Sequence, residues 1–176
     1  MSPTDLQRVD PAAPIGPASR AYVAFLRTSA GRWTAINIAP KVDPWLLRVT
    51  GGRIGMALML PSTLLTTTGA KSRLPRTHAV LYFHDGADVI VIASSYGREH
   101  HPAWYFNPKA HPEVRVGSHP GLAMTAAEVT EPAEQTRLWA LADRVYPLFA
   151  DYRDRAARTD RVIPIIRLTE AGGDQA

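Results

Sequence analysis

The sequence contains no cysteine among its 176 residues. A chain without thiols forms no disulfide framework, no thiolate metal cluster and no cysteine nucleophile. Any redox chemistry therefore requires a cofactor. With 45% hydrophobic and 20% charged residues, the chain has the balance of one globular domain rather than of a disordered or fibrous protein. The composition fits a reducing compartment, and the cytoplasm is the predicted location.

Long apolar runs are also missing. The longest, Ile54 to Leu60, is far shorter than the roughly 20 residues of a transmembrane helix. Residues 1–17 hold four prolines and two acids and lack the pattern of a signal peptide, so they are predicted to be a flexible lead. Residues 18–50 are predicted to form an N-terminal helical segment, residues 51–170 the main folded domain, and residues 171–176 a tail.

Acidic residues are absent between Asp43 and Asp85, although the whole chain carries a net charge of only +4. That gap holds five cations: Arg48, Arg53, Lys71, Arg73 and Arg76. A basic excess alone is compatible with nucleic acid, an anionic lipid surface or an acidic small molecule. Aromatic residues are not interleaved with these cations as stacking platforms for bases require, so no nucleic-acid partner is predicted.

Local patterns predict short helices over Ser19 to Leu26 and Asp43 to Val49, with Ser19 and Asp43 as N-caps, Pro44 in the first turn and Gly51-Gly52 at the end of the second. Further helices are expected from Pro102 to Lys109, from Glu131-Pro132 onward, and from Pro147 to Ala157. The predicted strands are Leu64 to Thr68, Thr77 to Phe83, Asp88 to Ser94, Val114 to Gly117, Ala123 to Val129 and Val162 to Leu168.

The strand from Thr77 to Phe83 is apolar on both faces, which is typical of a closed or covered sheet. Asp85-Gly86 predicts a tight hairpin after it. The predicted fold is therefore α+β: a barrel of about six mainly antiparallel strands, with a long helix before the last strand and short helices at the N-terminus. The mouth of the barrel is the expected ligand site.

A basic loop is the sharpest chemical feature. Thr66-Thr67-Thr68-Gly69 precedes Lys71, Arg73 and Arg76, and three cations beside hydroxyls and a glycine can grip a phosphate or several carboxylates. The alternative is a solvated loop whose cations only keep the protein soluble. The spacing of a phosphate-binding Walker loop is absent.

Other polar and aromatic residues form three further candidates. Ser94 and Ser95 follow a strand, where small hydroxyls can bond to a planar ring, or form an ordinary strand end. Tyr146, Phe149 and Tyr152 recur at a spacing of three and can form either an aromatic wall over a flat ligand or part of the core. His100-His101 is a poor metal pair because adjacent side chains diverge, and no metal site is predicted.

Taken in their order along the chain, these sequence motifs resemble the deazaflavin-dependent nitroreductase family, a branch of the split β-barrel flavin and deazaflavin oxidoreductases. The matching residues are Gly51-Gly52-Arg53, Leu64-Leu65-Thr66-Thr67-Thr68-Gly69-Ala70-Lys71-Ser72 with Pro75-Arg76, Ala93-Ser94, Pro102-Ala103-Trp104-Tyr105 with Asn107, Pro112 with Val114, and Tyr146-Pro147 with Asp151-Tyr152.

The resemblance implies a split β-barrel that binds reduced coenzyme F420, a deazaflavin with a phosphate and a polyglutamate tail. It implies hydride transfer to a quinone, an activated alkene or a nitro compound. FMN on the same barrel is the alternative cofactor, and a non-catalytic cofactor- or lipid-binding protein is the alternative class. Trp33 and Trp45 lie near cations and could touch the inner face of an anionic membrane. Family barrels are often dimers, which implies a homodimer.

Site roles follow from the same resemblance. Lys71 and Arg76 correspond to positions that hold the phosphate and tail, with Thr68 and Gly69 on the same loop. Ser94 corresponds to a position beside the deazaflavin ring, and Trp104 to one in the helix next to the cofactor. The implied catalytic residues, listed together, are Tyr146, Tyr152 and Ser94.

Two positions depart from the family pattern. Ala70 stands where an arginine is frequent, and Arg73 is the expected substitute for its phosphate contact. Phe149 replaces a tyrosine of the nitroimidazole-reducing members, which argues against nitroreduction by this chain.

Overall fold

The computed structural model describes residues 6–13, 16–49, 60–118 and 120–171. Three helices come first: α1 (Pro17–Arg27), α2 (Ser29–Asn37) and α3 (Ala39–Val49). The strands are β1 (Ser62–Thr68), β2 (Pro75–Asp85), β3 (Asp88–Ile92), β4 (Glu113–Val116), β5 (Leu122–Glu128) and β6 (Ile165–Glu170). Between them lie α4 (Phe106–Ala110), α5 (Pro132–Val145) and α6 (Leu148–Ala157), with short 3₁₀ turns at Ser95–Gly97 and Ala103–Tyr105.

The six strands close into a barrel in the order β1-β2-β3-β6-β5-β4, and each neighbouring pair is antiparallel. The first three strands form a meander, and the hairpin at Asp85-Gly86 pairs Asp85 with Asp88. β6 enters between β3 and β5, pairing Ile165 with Ile92. The structure confirms the predicted α+β barrel of six strands, with α5 and α6 before the last strand.

Side chains on β2 alternate between two cores, as its two-faced apolar pattern predicts. Val80 and Tyr82 point into the barrel with residues such as Val91, and together they form the inner core. Phe83 points outward and packs with residues of α1, α5 and α6, which form the outer core. Both faces of this strand are therefore covered.

The start of the chain differs from the sequence predictions. α1 begins at Pro17 after Gly16, without a side-chain cap, because proline already has the backbone angle of a first turn. α3 begins at Ala39, so Asp43 and Pro44 lie inside it and Asp43 is not a cap. The sequence patterns missed α2, which Thr28 caps through a bond from the Gly31 amide. The expected helix end at Gly51-Gly52 lies outside the described residues.

Residues 6–13, part of the expected flexible lead, are held on the β2–β3 hairpin. The Val9 amide donates to His84 Nδ1, and the His84 amide donates to the Val9 carbonyl, both at 3.0 Å. The buried Tyr82 hydroxyl donates to the Gln7 carbonyl at 2.7 Å. Burial raises the pKa of Tyr82 to about 12, so this donor stays protonated. This part of the predicted lead is therefore hydrogen-bonded to the barrel.

We expect this segment to loosen in mild acid. Burial, followed by the Arg8 charge, lowers the pKa of His84 below its ordinary value of 6.5. The undocked state then binds more protons, so the stability of docking falls as the pH drops through 6.5 toward the lower, folded-state value. Hydrogen-exchange protection of the Val9 amide, corrected for the intrinsic rate, should fall between pH 7.5 and pH 5.5. In His84→Asn, whose Oδ1 accepts at every pH, protection should stay constant; an equal fall in both proteins would contradict the assignment.

Candidate functional site

The basic loop between β1 and β2 is a tight turn. The Gly69 amide donates to the Leu74 carbonyl at 2.9 Å, and the Arg73 amide donates back to the Gly69 carbonyl at 2.8 Å. A Cβ on Gly69 would lie 2.5 Å from Ser72 Oγ and 3.2 Å from the Leu74 carbonyl oxygen, so only glycine fits without a shift of the loop. The loop is therefore folded on itself and has a defined shape.

The three cations of this loop point to solvent. Lys71, Arg73 and Arg76 are exposed, and within the described part of the chain none of them forms an ion pair. Thr68 lies half-buried at the end of β1, opposite Pro75. The structure thus brings the predicted phosphate and tail residues together. Positive groups without protein partners are available for charge-assisted bonds to an anionic ligand.

The side chain of Asn107 holds this loop in place through two hydrogen bonds. Its side chain, which is 8% exposed, donates to Thr67 Oγ1 at 2.9 Å and accepts from the Ala70 amide at 3.0 Å. Thr67 in turn bonds to the Arg76 carbonyl at 3.3 Å. The sequence motif contains Asn107, but only the fold shows that it joins α4 to a loop 37 residues earlier.

A small cavity lies further along β2. Its volume is about 130 Å³, and the lining residues are Ala79, Val80, Leu81, Ile92, Ser94, Ser95, Tyr96, Trp104, Tyr146, Phe149 and Tyr152. Ala79, Leu81 and Ile92 belong to the outward faces of their strands. Val80 and Trp104, in contrast, belong to the inner core. The cavity therefore lies at the barrel wall next to α6, and a ligand site in the barrel mouth stays a prediction. Pockets for whole drug-sized ligands measure roughly 300–1,000 Å³, so this one takes part of a ligand.

Tyr146 and Tyr152 meet across the break between α5 and α6. Their hydroxyl oxygens are 2.9 Å apart, both rings are buried, and burial raises the pKa of each. Both phenols are therefore protonated at neutral pH. One of the two protons is used within the pair. The other has no acceptor among the described residues, so the pair can donate one hydrogen bond into the cavity.

Phe149 completes the aromatic wall without a polar group. Its ring packs edge-on against Tyr146, with centroids 5.0 Å apart at an angle of 88°, and it is 2% exposed. The residues of this stripe belong to the outer core and also line the cavity, and their role as a wall over a flat ligand stays a prediction.

Ser94 and Ser95 begin the opposite wall. Both side chains are half-buried and line the cavity, and neither makes a side-chain hydrogen bond within the described residues. Trp104, 7% exposed, lines the same cavity. The residues predicted to bind the cofactor ring and the two tyrosines thus line the same cavity.

A left-handed turn begins at Ser95, directly after Ser94. Ser95, Tyr96 and Gly97 have φ values of 48°, 57° and 72°, which cost about 1–2 kcal/mol for each residue other than glycine. Gly97 allows the turn to touch α6: an added Cβ would lie 2.6 Å from the Tyr152 carbonyl oxygen. Tyr96 packs edge-on against Tyr152, with centroids 6.0 Å apart. Contacts between the turn and α6 thus fix the two walls of the cavity relative to each other.

His101 has two side-chain partners within the fold. Its Nδ1 accepts from Arg161 Nε at 3.2 Å, and its ring stacks on Tyr105 with centroids 4.7 Å apart. Among the described residues no group of three or more histidine or acidic side chains is arranged to hold a metal ion.

The loop and the cavity lie on one strand. Arg76 and Ala79 are three residues apart on β2, which is roughly 10 Å along a strand. The cations can hold the anionic part of a ligand while the hydroxyls and aromatic rings of the cavity hold a planar part. These residues fit a deazaflavin with a phosphate and an acidic tail. Fold and site together define a barrel oxidoreductase with an anionic, ring-containing cofactor.

Comparisons with known proteins support this class of protein. The model of the F420H(2)-dependent quinone reductase family matches residues 40–170. The F420H(2)-dependent quinone reductase of Mycobacterium tuberculosis (strain ATCC 25618 / H37Rv) is 36% identical over 128 residues, which cover 70% of this chain and 85% of the relative. A solved F420-H2 dependent reductase is 38% identical, with a TM-score of 0.53, over 61% of this chain and 93% of its own. A second structure, described as a domain-swapped dimer, is 31% identical with a TM-score of 0.55, over 80% and 99%.

The chain belongs to the F420H(2)-dependent quinone reductase family. This membership confirms the resemblance to the deazaflavin-dependent oxidoreductases, the oxidoreductase class and coenzyme F420 as the cofactor. No helix in the described ranges is both long enough and apolar enough to cross a membrane.

Proposed function

We propose that this protein reduces quinones with hydride from reduced F420. The observation that carries the proposal is an arrangement along β2. Three cations without ion-pair partners among the described residues lie in the loop before β2 and at its start, and a cavity with hydroxyl and phenol donors begins roughly 10 Å further along the strand. The relatives are named for this activity. When bound, reduced F420 supplies the hydride.

Each part of the site has one task. Lys71, Arg73 and Arg76 bind the phosphate and tail, with Thr68 and Gly69 shaping the loop. Ser94, Ser95 and Trp104 bind and orient the ring system. The closed aromatic wall excludes water from the reacting groups. Arg73, which is exposed beside Lys71, replaces the arginine that the family often has at position 70.

The tyrosine pair acts on the acceptor. Reduction of a quinone to a hydroquinone adds one hydride and one proton, and negative charge develops on a quinone oxygen. Tyr146 and Tyr152 together retain one free O–H, which can donate to that oxygen. Because burial raises the pKa of both phenols, the pair serves as a hydrogen-bond donor, and solvent can supply the final proton.

Titration with reduced F420, followed by cofactor fluorescence, tests the proposal. Saturable micromolar binding and turnover with quinones, measured beside enones and nitroaromatics, are expected. Absence of saturable binding would overturn it. Purification as a yellow protein with bound FMN would favour the alternative cofactor, and binding without turnover on any acceptor would favour a non-catalytic carrier.

Lys71→Ala should weaken binding of reduced F420 by about tenfold, because a charge-assisted hydrogen bond contributes roughly 1.5–3 kcal/mol and this one is partly exposed. Lys109→Ala is the control, since Lys109 bonds to Tyr105 and Glu128 away from the loop. Fluorescence titration measures both. Unchanged affinity in Lys71→Ala would show that the tail binds elsewhere.

Tyr152→Phe should lower kcat about 10- to 100-fold with little change in cofactor affinity. The change leaves the O–H of Tyr146 but removes the hydrogen bond that orients it, so the remaining donor is no longer held toward the acceptor. Phe149→Tyr is an informative companion, because it restores the hydroxyl of nitro-reducing members. A larger effect of Tyr152→Phe on the cofactor's Kd than on kcat would contradict the assigned role.

We also propose that the N-terminal helices contact an anionic membrane, where lipophilic quinones dissolve. The exposed apolar residues there are Phe25, Trp33, Ile38, Trp45 and Val49. Residues 11–42 contain four cations and no acid, and aromatic side chains beside cations favour an interfacial position. Cosedimentation with anionic, but not with neutral, vesicles is expected; failure with both would remove the proposal.

The homodimer is a further proposal, supported by the structure described as a domain-swapped dimer. Light scattering on the purified protein should give twice the 19.3 kDa of the chain. A mass of one chain at all tested concentrations would exclude it.

A further inference from the structure

Arg161, just before β6, is a buried cation with an unusual set of partners. It is 7% exposed, and in the described part of the chain no carboxylate lies within ion-pair distance of it. Removing a charge from water without an opposite charge is expensive, so such a residue is kept only where its hydrogen bonds compensate. Burial accordingly lowers the pKa of Arg161.

All hydrogen bonds of its side chain go to one segment, residues 93–101. Nη2 donates to the Ala93 carbonyl at 2.6 Å, and Nη1 donates to the carbonyls of Ser94 at 3.0 Å and Arg98 at 2.7 Å. Nε donates to His101 Nδ1 at 3.2 Å. A guanidinium has five donors in a rigid plane, whereas a lysine has three on one atom. Only arginine can hold these four acceptors at once.

These acceptors flank the left-handed turn of Ser95, Tyr96 and Gly97. Two strained residues in succession need a scaffold that determines their conformation. The carbonyls before and after the turn converge on one guanidinium, which supplies this scaffold. The same turn presents Ser94, Ser95 and Tyr96 to the cavity and rests on Tyr152.

We propose that Arg161 is a positioning residue of the active site: its guanidinium fixes the left-handed turn that presents Ser94, Ser95 and Tyr96 to the ligand. The inference deepens the proposed function and depends on it. Arg161 is not itself a lining residue of the cavity. It acts through backbone carbonyls on both sides of the turn, among them the carbonyl of the lining residue Ser94.

A matched control lies at the other side of the molecule. Arg167 is half-buried and, unlike Arg161, pairs with the carboxylates of Asp85, Asp88 and Glu134. These partners join β6 to the β2–β3 hairpin and α5, and none of them lines the cavity. Loss of Arg167 removes a comparable number of bonds without disturbing the turn.

The test compares Arg161→Met, Arg161→Lys and Arg167→Met, each assayed at a temperature where unfolding curves show it folded. Displacement of reacting groups by about 1 Å costs about 100-fold in rate, so Arg161→Met should lose about that factor in kcat/KM, and Arg161→Lys should lose more than tenfold. Arg167→Met should stay within about twofold of the parent. If Arg161→Met does not fold, the comparison of Arg161→Lys with Arg167→Met decides.

A second readout needs no cofactor. In the ligand-free protein, amide chemical shifts of Ser95, Tyr96 and Gly97 should change in both Arg161 variants and stay constant in Arg167→Met. Unchanged shifts, or a kcat/KM loss in Arg167→Met equal to that of Arg161→Met, would overturn the inference. If the parent protein fails to bind F420, the proposed function fails, while altered shifts would still show that Arg161 holds the turn.

Discussion

Gly97→Ala is expected to lower the free energy of unfolding by about 2–4 kcal/mol. The added Cβ would lie 2.6 Å from the Tyr152 carbonyl oxygen, 2.9 Å from Tyr152 Cα and 3.0 Å from Arg155 Cβ. Two of these contacts are with helix backbone, which cannot rotate away. Because φ is +72°, alanine would also be strained in the left-handed region. The turn and α6 must therefore separate.

Gly86→Ala isolates the backbone part of this effect. Gly86 has φ of +65°, but nothing lies within 4 Å of its added Cβ. We expect a loss of only about 1 kcal/mol there. Urea unfolding of the two variants measures the difference, which reports the clash alone. Equal losses would show that the turn does not press on α6.

The separation of the turn from α6 should also lower the catalytic rate. Because the clash is at Tyr152, its hydroxyl should move relative to Tyr146, and the hydrogen bond between them should lengthen. At a temperature where Gly97→Ala is folded, kcat should fall while the affinity of the basic loop for cofactor stays close to that of the parent. Gly86→Ala should leave both values unchanged.

Asn107→Leu is expected to destabilise the protein by about 2–4 kcal/mol, because each lost hydrogen-bond partner costs roughly 1–3 kcal/mol. The Ala70 amide would lose its acceptor. The hydroxyl of Thr67, which is 1% exposed, would lose the bond from Asn107 and keep only its own bond to the Arg76 carbonyl. The affinity for reduced F420 should fall at least as far as in Lys71→Ala, because the loop that carries all three cations loses its anchor.

Two further variants separate the bonds of Asn107. Asn107→Asp keeps an acceptor for the Ala70 amide but cannot donate to Thr67, so it should lose about half as much. When Thr67→Val is combined with Asn107→Leu, both partners of one bond become apolar, and the double variant should lose less than the sum of the single losses. Additive losses in urea unfolding would show that the two side chains do not interact.

Much of the barrel was predictable from local patterns. The two-faced strand from Thr77 to Phe83 predicted coverage on both sides, and Asp85-Gly86 predicted the hairpin that joins β2 to β3. These signals act between neighbouring residues, where periodicity and turn chemistry are decisive. The caps at Ser19 and Asp43 were wrong because α1 starts earlier, at Pro17, and α3 starts at Ala39, four residues before Asp43.

The site was predictable in its parts and not in its connections. The cations Lys71, Arg73 and Arg76 and the stripe from Tyr146 to Tyr152 were evident from composition and spacing. The anchors were not: Asn107 acts across 40 residues on Thr67, and Arg161 across 67 residues on Ser94. No local pattern shows such contacts, because they depend on the order in which the strands close.

That order affects how the protein forms during synthesis. The strand β6 follows all the other described strands in the chain, yet it fills the gap between β3 and β5. Until Ile165 to Glu170 leave the ribosome, both neighbours keep an unpaired edge, and such edges favour association with other chains. Arg161 and α6 emerge just before this strand. The nascent protein therefore stays inactive and exposed to aggregation until nearly all of the barrel has been made, and its folding should be slow for its size.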